Sequence, residues 1–327
     1  MTSYEGYRHL IFGALGQDGS YLAEQLSANG NQVIAVIRNS SVVPKEYSNK
    51  NINFIRGDIL DDGFVYSLLE RYKPTHIYNL ASASSVSESY LNPEQSLQVN
   101  LEFVRSLIDC MDKFRMAHGQ DIFLLQASTS EMFGPDHQNL ITEETVHDPR
   151  SPYAEHKSLA HNLCLQARTT KGLKIGTVIL FNHESPRRPL NFVSRKITRG
   201  AYLISQGVKS ELVLGNINVQ RDWGYAPDYV HAISLIANDF LSDDFVVASG
   251  QLRSLRDMCQ VAFRAVGIFE YENYIVLDKS LFRSNENSGL KGDASKIRDV
   301  LGWKPTVNFE QMIEKMVFAE AKESPLL

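Results

Sequence analysis

The residues of this chain with the clearest chemical potential are a Tyr–Lys pair and an acidic turn upstream of it. Tyr153 and Lys157 are four residues apart, so on a helix they share one face. The ammonium of Lys157 would favour the phenolate, and such a phenol can serve as a general base. Thr129 could bind a substrate oxygen, and Glu131 supplies a second base that oxidation of a simple alcohol does not need. The set predicts oxidation of one carbon followed by a further step.

Each of these residues also has a purely structural interpretation. The pair can be an amphipathic tyrosine beside a solvated lysine, and the Ser128–Ser130 hydroxyls can satisfy their own turn. Glu131 can be a solvent-facing loop acid. Position favours chemistry, because the pair lies on the helix after the fifth predicted strand, and Thr129 stands where that strand ends. Open α/β sheets bind ligands at the carboxyl ends of their strands.

A glycine turn near the start of the chain predicts a dinucleotide site. Gly13, Gly16 and Gly19 follow the predicted strand His9–Phe12 and open a helix. In this context the first glycine allows a tight turn and the second lets the backbone approach a pyrophosphate. The third lets helix and strand pack closely, and the helix N-terminus faces the phosphates.

The end of the second strand bears on which dinucleotide is bound. Arg38 stands where an acidic residue would bind the ribose hydroxyls of NAD, and a guanidinium suits the 2′-phosphate of NADP. A surface arginine is the alternative. Asp58, after the third strand, could accept a hydrogen bond from the adenine amino group or be an exposed turn residue.

The elements that must position these residues alternate between strands and helices. This pattern predicts an α/β fold with a Rossmann-type, doubly wound parallel sheet. The predicted strands are His9–Phe12, Gln32–Ile37, Asn53–Arg56, His76–Leu80, Asp121–Ala127 and Lys174–Phe181. The predicted helices are Ser20–Asn29, Gly63–Tyr72, Ser96–Arg115 and Ser151–Thr170.

The pattern changes after Phe181, where the polar stretch His183–Asn191 predicts a loop. We therefore expect residues 1–182 to form the cofactor domain and residues 183–327 a smaller substrate region. The apolar segment Asp244–Ala248 is expected to return to the first sheet, so that the two regions are partly interleaved.

The composition excludes several classes of function. A net charge of −5 over 327 residues argues against nucleic-acid binding. No apolar run is long enough for a membrane span, and the N-terminus lacks the features of a secretion signal. Three separated cysteines predict a reducing, cytoplasmic setting. We predict no metal site, because no HExxH motif follows His183 and the nine histidines show no ligand spacing.

Several stretches together resemble the GDP-mannose 4,6-dehydratases, within the extended short-chain dehydrogenase/reductase superfamily. The similarity runs along nearly the whole chain, and the run Asn182-His183-Glu184-Ser185-Pro186-Arg187-Arg188 is specific to the dehydratase group. The glycine turn and the YxxxK pair belong to the whole superfamily. The other matching stretches are 126–131, 195–198, 221–224, 292–293 and 301–305.

The resemblance implies a reaction that uses both bases. Tyr153 takes the proton of the sugar 4-hydroxyl while C4 gives hydride to NADP, and Thr129 binds the 4-oxygen. The 4-ketone acidifies the hydrogen on C5, Glu131 removes it, and water leaves from C6. Return of the hydride to C6 gives a 4-keto-6-deoxy sugar, so the cofactor is regenerated within one turnover.

The resemblance also implies the binding residues, and a GDP-sugar is the favoured substrate. The implied cofactor contacts are Gly13, Gly16, Gln17, Asp18, Gly19, Arg38, Asp58, Ile59, Leu80, Ala81, Ser82, Ser84, Tyr153, Lys157, His183 and Arg188. The implied substrate contacts are Ser130, Asn182, Asn191, Arg195, Lys196, Arg221, Arg283 and Glu286. The cations from Arg187 to Arg199 suit a pyrophosphate, with a solvated basic face as the alternative.

The chain departs from the family at positions that include Ala83, Ser85, Gln95 and Pro189, and several of the departures would line the sugar pocket. A shorter segment between Val42 and Asn53 bears on subunit contacts, and we expect a homo-oligomer, either a dimer or a tetramer. Because the catalytic set is intact, dehydration is predicted more firmly than the sugar. The alternatives are a 4-epimerase or 4-reductase on the same fold, or a binding homologue without turnover.

Overall fold

The computed structural model describes residues 6–44, 51–134, 140–282 and 289–323. Its backbone divides into two compact units between which the chain passes several times. Unit 1 comprises Met1–Gly134, Glu143–Leu180 and Val230–Val246. Unit 2 comprises Pro135–Thr142, Phe181–Tyr229 and Val247–Leu327.

Strands and helices alternate through the first half of the chain. The strands are β1 (Arg8–Phe12), β2 (Gln32–Ile37), β3 (Ile52–Arg56), β4 (His76–Asn79), β5 (Phe123–Thr129), β6 (Ile175–Leu180), β7 (Asn182–Glu184), β8 (Leu212–Leu214), β9 (Gln220–Tyr225), β10 (Asp244–Val247), β11 (Leu252–Ser254) and β12 (Ile275–Leu277). The helices are α1 (Gln17–Ala28), α2 (Asp62–Tyr72), α3 (Val86–Leu91), α4 (Pro93–Leu97), α5 (Phe103–His118), α6 (Pro152–Thr170), α7 (Val193–Ser205), α8 (Ala226–Asn238), α9 (Leu255–Ala265), α10 (Ser295–Leu301) and α11 (Phe309–Glu323).

Unit 1 is built on a seven-stranded sheet in the order β10-β6-β5-β4-β1-β2-β3. Its paired strands run parallel, for example β1 with both β2 and β4. Every residue of β6 is buried, which requires that both faces of the sheet be covered. The doubly wound parallel sheet predicted from the sequence is therefore confirmed, and its carboxyl edge collects the ends of β1 to β5.

Unit 2 contains two small sheets, β11-β9-β7 and β12-β8. Strand β7 pairs in parallel with β9, so that His183 lies opposite Gly224. Helices α7, α9 and α11 pack on one another around a core that includes Met258, Ile313 and Met316. The core supports α7 and β9, which carry Arg195 and Arg221, and β7 with Asn182 pairs with β9.

Two predicted elements were wrong in detail. The long helix predicted from Ser96 to Arg115 is α4, a π-helical turn at Gln98–Glu102, and α5. The widened turn holds the buried Asn100, whose side chain bonds Ser82 and Ala83 outside the helix as well as Ser96 of α4, and apolar periodicity does not reveal this. The loop predicted at His183–Asn191 begins inside β7, because three residues suffice to pair with β9.

Within the four described stretches of the chain, none of the helices combines the length and the apolar character that crossing a membrane requires.

Candidate active site

The glycine turn of unit 1 forms a close junction between β1, β4 and α1. Gly13 has φ +81, and a Cβ there would lie 2.7 Å from the carbonyl of Leu80. A Cβ on Gly19 would lie 2.2 Å from the carbonyl oxygen of Gly13, so only glycine allows this packing. Gly16 is the N-cap of α1 and supplies no side-chain cap to its first turn. The open N-terminus fits the phosphates of a dinucleotide.

The first turn of α1 also contains two other predicted cofactor residues. Gln17 is largely buried, and its Nε2 lies 3.3 Å from Oδ1 of Asp18. A carboxylate in the first turn of a helix is favoured by the helix dipole.

An arginine that the sequence analysis missed organises the segment after β2. Arg56, the last residue of β3, donates from one Nη to the carbonyls of Asn39 and Ser41 at 2.9 and 2.7 Å. The same nitrogen lies 3.4 Å from the carbonyl of Arg38, which is exposed at the end of β2. The strand register places Arg56 opposite Ile37, so two guanidinium groups occur at neighbouring strand ends.

Asp58 lies in an exposed turn after β3, and its Oδ1 accepts the backbone N–H of Leu60 at 3.0 Å. This Asx turn agrees with the alternative in which Asp58 is an exposed turn residue. The next predicted residue, Ile59, is partly buried against the core of unit 1.

The loop after β4 depends on Asn100, which sequence reasoning also missed. Its Oδ1 accepts the hydroxyl of Ser82 at 2.8 Å and the N–H of Ala83 at 3.2 Å. Leu80 bonds back to the carbonyl of Phe12 at 3.0 Å, while Ser84 is exposed. Asn100 is fully buried in a π-helical turn, and such turns concentrate at functional sites, but neither feature is visible in the sequence.

The two predicted bases lie in elements that pack on each other. Thr129 ends β5, and its Oγ1 accepts the N–H of Glu131 at 3.2 Å, which starts the short helical turn Ser130–Met132. Helix α6 contacts both β5 and this turn. Tyr153 is in the first turn of α6, where its backbone N–H donates to Oγ of Ser89 at 3.2 Å.

Lys157 is anchored directly to β5. Its Nζ donates to the carbonyl of Ala127 at 2.6 Å, and the residue is only 3% exposed. Burial lowers the pKa of Lys157 to about 8. Tyr153 is 7% exposed, so both members of the pair lie inside unit 1 and not on a solvated face.

In unit 2, His183 is fixed by its neighbours on both sides. Its Nδ1 lies 2.6 Å from the carbonyl of Phe181, which can only accept, so this nitrogen carries the proton. The ring stacks on Tyr229 at a centroid distance of 4.8 Å. A Cβ at position 224 would meet the Tyr229 ring at 2.1 Å, which explains Gly224.

The arginines that follow β7 have different surroundings. The guanidinium of Arg188 lies 3.7 Å from the centre of the Phe192 ring, with its Nε 3.2 Å from Glu184. Arg195 is 4% exposed, pairs with the fully buried Glu320, and donates to the carbonyls of Pro186 and Arg188. Its guanidinium thus fixes the loop that carries Arg188.

Asn191 and Lys196 are exposed, Ser130 is buried, and Asn182 lies half-buried in β7. Arg283 and Glu286 lie outside the described residues. Arg221, the second residue of β9, is half-buried.

The rest of the Arg221–Gly224 run serves the fold of unit 2. Asp222 accepts the N–H groups of Ser249 and Gly250 at 2.8 and 2.9 Å. Trp223 donates from Nε1 to the carbonyl of Arg253 at 3.0 Å.

The arrangement in unit 1 gathers a dinucleotide turn, two arginines and a pair of potential bases at one edge of the sheet. That edge can hold a nicotinamide dinucleotide and move protons on a bound alcohol.

Comparisons with known proteins agree with this geometry. The profile of the family described as GDP-mannose 4,6 dehydratase matches residues 10–316. GDP-mannose 4,6 dehydratase 1 of Arabidopsis thaliana is 39% identical over 321 residues, which cover 94% of this chain and 88% of the relative.

Two solved structures share the fold. The structure of RMD from Pseudomonas aeruginosa complexed with NADPH has a TM-score of 0.80 at 24% identity, covering 97% of this chain and 99% of that one. The dTDP-glucose 4,6-dehydratase of Bacillus anthracis in complex with NAD has a TM-score of 0.82 at 19% identity, covering 97% of each chain.

Proposed function

The chain belongs to the GDP-mannose 4,6-dehydratase family, and from that premise we propose that it is an NADP-dependent lyase. It removes water from GDP-mannose or a related GDP-sugar and forms the 4-keto-6-deoxy product. The observation that carries this proposal is the packing of α6, with Tyr153 and Lys157, against the turn that holds Glu131. Oxidation or epimerisation at C4 alone would need the helix but not the acid.

The residues divide the proton transfers between them. When bound, NADP would supply the hydride acceptor for C4 of the sugar and the hydride donor for C6. Tyr153 removes the proton of the 4-hydroxyl, and Thr129 donates a hydrogen bond to the same oxygen. Glu131 removes the C5 proton that the 4-ketone acidifies, and the C6 hydroxyl takes up a proton and leaves as water. After hydride reaches C6, C5 takes a proton from solvent. Lys157 stabilises the phenolate of Tyr153 by its charge.

The preference for NADP follows from the cations at the ends of β2 and β3. Arg38 is exposed there, and Arg56 holds the carbonyls of its loop, so a 2′-phosphate meets positive charge. The cofactor contacts predicted from the sequence are proposed unchanged. His183 and Arg188 act toward the nicotinamide end.

For the sugar nucleotide we propose seven contacts and one supporting residue. The contacts are Ser130, Asn182, Asn191, Lys196, Arg221, Arg283 and Glu286. Arg195 supports them through the carbonyls of Pro186 and Arg188 rather than by contact, because its guanidinium is paired with Glu320. A homo-oligomer in a reducing, cytoplasmic setting, binding no nucleic acid, completes the proposal and suits three buried thiol cysteines.

The test is product formation from GDP-mannose, followed by mass spectrometry in ordinary and deuterated water. The proposal requires loss of one water and incorporation of solvent deuterium at C5. Glu131→Gln should abolish the product while the affinity for NADPH is kept, whereas Glu155→Gln, an exposed acid on α6, should leave turnover unchanged.

Other results would support a competing function. An epimerised or reduced sugar without deuterium at C5 would identify a 4-epimerase or 4-reductase. Full activity of Glu131→Gln would remove the second base from the mechanism. Binding without turnover of any nucleotide sugar would indicate a binding homologue.

A further inference from the structure

The face by which α6 packs inside unit 1 is unusually polar. Its buried residues include Tyr153, Lys157, His161 and Cys164, which recur every three or four positions along one side of the helix. Apolar side chains pack without strict direction. Hydrogen bonds of fixed length, in contrast, specify both the rotation of a helix about its axis and its position along that axis.

Two of these residues are bonded to consecutive residues of β5. Lys157 donates to the carbonyl of Ala127 at 2.6 Å, and Nδ1 of His161 lies 2.9 Å from Oγ of Ser128. The next residue of the strand is Thr129. The contacts are one helical turn apart, so together they define how α6 meets the end of β5.

The second ring nitrogen of His161 faces a carboxylate that is itself held in place. Nε2 lies 3.9 Å from Asp244, which Arg168 contacts through two nitrogens at 3.0 Å each. Thr177 donates to the same carboxylate at 2.7 Å. Asp244 belongs to β10 and Thr177 to β6. With Ser128 of β5, the network therefore joins α6 to three strands of the sheet.

The charge of Asp244 selects the tautomer of His161. A carboxylate favours the proton on Nε2, which leaves Nδ1 as an acceptor for the hydroxyl of Ser128. Burial lowers the pKa of His161 to about 4, so the ring is neutral at pH 7 and the acceptor is retained. The Ser128 hydroxyl is therefore directed to the helix and not to a ligand.

We propose that His161 is a positioning residue: its bond to Ser128 sets α6 against β5 so that Tyr153 and Lys157 face Thr129. This inference rests on the proposed function, which gives Tyr153 and Lys157 their roles. A helix that slides by one residue moves about 1.5 Å, and an error of about 1 Å at reacting groups can cost about 100-fold in rate.

The experiment compares three single variants, the double variant His161→Leu with Ser128→Ala, and one control. His161→Leu and Ser128→Ala each remove the bond, and His161→Asn keeps an acceptor near the position of Nδ1. The control is His156→Leu, because His156 is also on α6 and also bonds a serine, Ser96 of α4, at 3.0 Å. The readouts are kcat and KM for product formation, the Kd for NADPH and the midpoint of thermal unfolding.

We expect kcat of His161→Leu to fall by about 10- to 100-fold and its affinity for NADPH to weaken, with KM for the sugar nucleotide little changed. His161→Asn should recover most of kcat. The double variant with Ser128→Ala should be no slower than His161→Leu alone, because both changes remove the same bond. His156→Leu should retain wild-type kcat and NADPH affinity.

Three results would overturn the inference. They are wild-type kcat and NADPH affinity in His161→Leu with only the unfolding midpoint lowered, multiplicative losses in the double variant, or an equal loss in His156→Leu. A wild-type protein that makes no dehydrated product counts against the proposed function instead. The NADPH affinities of the same variants then still decide the role of His161, since Lys157 is expected to contact the cofactor.

Discussion

Two buried histidines at the amino ends of β1 and β4, away from the candidate site, should make the stability of unit 1 sensitive to acid. The rings of His9 and His76 stack at a centroid distance of 4.8 Å. His76 bonds Thr75 Oγ1 at 2.9 Å and the carbonyl of Ala237 at 3.2 Å, so each ring nitrogen has a partner suited to the neutral form. Burial, together with the neighbouring His76, lowers the pKa of His9 to about 3, and burial lowers the pKa of His76 to about 4.

The sign of the effect follows from these lowered values. The unfolded chain takes up protons on both histidines near pH 6.5, whereas the folded chain stays neutral until about pH 4 or below. The stability they contribute is fully present above pH 6.5 and is lost as the pH falls. A pH of 5 is about 1.5 units below the unfolded-state pKa, and each unit corresponds to about 1.36 kcal/mol. Each histidine therefore lowers the free energy of unfolding by about 2 kcal/mol, and the pair lowers it by about 4 kcal/mol.

The assay is urea unfolding at pH 7.5 and pH 5.0 for the wild type, His9→Leu and His76→Leu. Far-UV circular dichroism follows the helices and strands of both units. Both tryptophans, Trp223 and Trp303, belong to unit 2, so their fluorescence separates that unit's transition. A leucine variant loses hydrogen bonds and can be less stable at every pH, but it should lose about 2 kcal/mol less on acidification.

The decisive quantity is the change in unfolding free energy between the two pH values, because any pH-independent effect of a substitution cancels in it. His231→Gln, a change at an exposed histidine of α8, serves as the control and should lose as much stability as the wild type between pH 7.5 and pH 5.0. If His9→Leu and His76→Leu lost as much stability on acidification as the wild type, the buried rings would not be the proton acceptors, and the reasoning would fail.

Two further predictions concern charges buried in the two units. Glu320→Gln leaves Arg195 buried without its counter-charge and should cost about 3–5 kcal/mol in urea unfolding, whereas Glu310→Gln, which breaks an exposed pair with Arg253, should cost less than about 1 kcal/mol. Equal effects would contradict the role of burial. Lys157→Met should abolish turnover yet stabilise the ligand-free protein by up to about 3 kcal/mol at pH 7, because burial holds the pKa of Lys157 near 8. The extra stability of the methionine variant should shrink as the wild-type amine deprotonates between about pH 8 and pH 10.5. A stability difference that does not change with pH would refute burial of the charge as its cause.

The sequence predicted the sheet of unit 1 well because its signals are local. Buried parallel strands read as short apolar runs, and β2 was predicted with its observed bounds. The glycine spacing predicted the junction of β1 and α1, where a Cβ has no room. The fold class and the family are both confirmed, while the roles of the site residues remain predictions.

The parts that could not be predicted depend on partners far apart in the chain. Asn100 lies in a π-helical turn and accepts hydrogen bonds from Ser82 and Ala83, which are 18 and 17 residues away, so the pattern of the helix itself does not indicate it. Arg56 looks like any strand-end cation until the carbonyls of Asn39 and Ser41 are placed around it.

A residue that matches a family motif does not thereby gain a chemical role, and the Arg221–Gly224 run shows why. Asp222 holds three backbone N–H groups, of Ser249, Gly250 and Gly292, and Gly224 makes room for a tyrosine ring. Replacing either would abolish activity by disturbing unit 2, and such a loss would say nothing about catalysis. Substitutions at Glu131 are more informative, because Glu131→Gln neutralises the carboxylate and keeps the backbone N–H that donates to Oγ1 of Thr129.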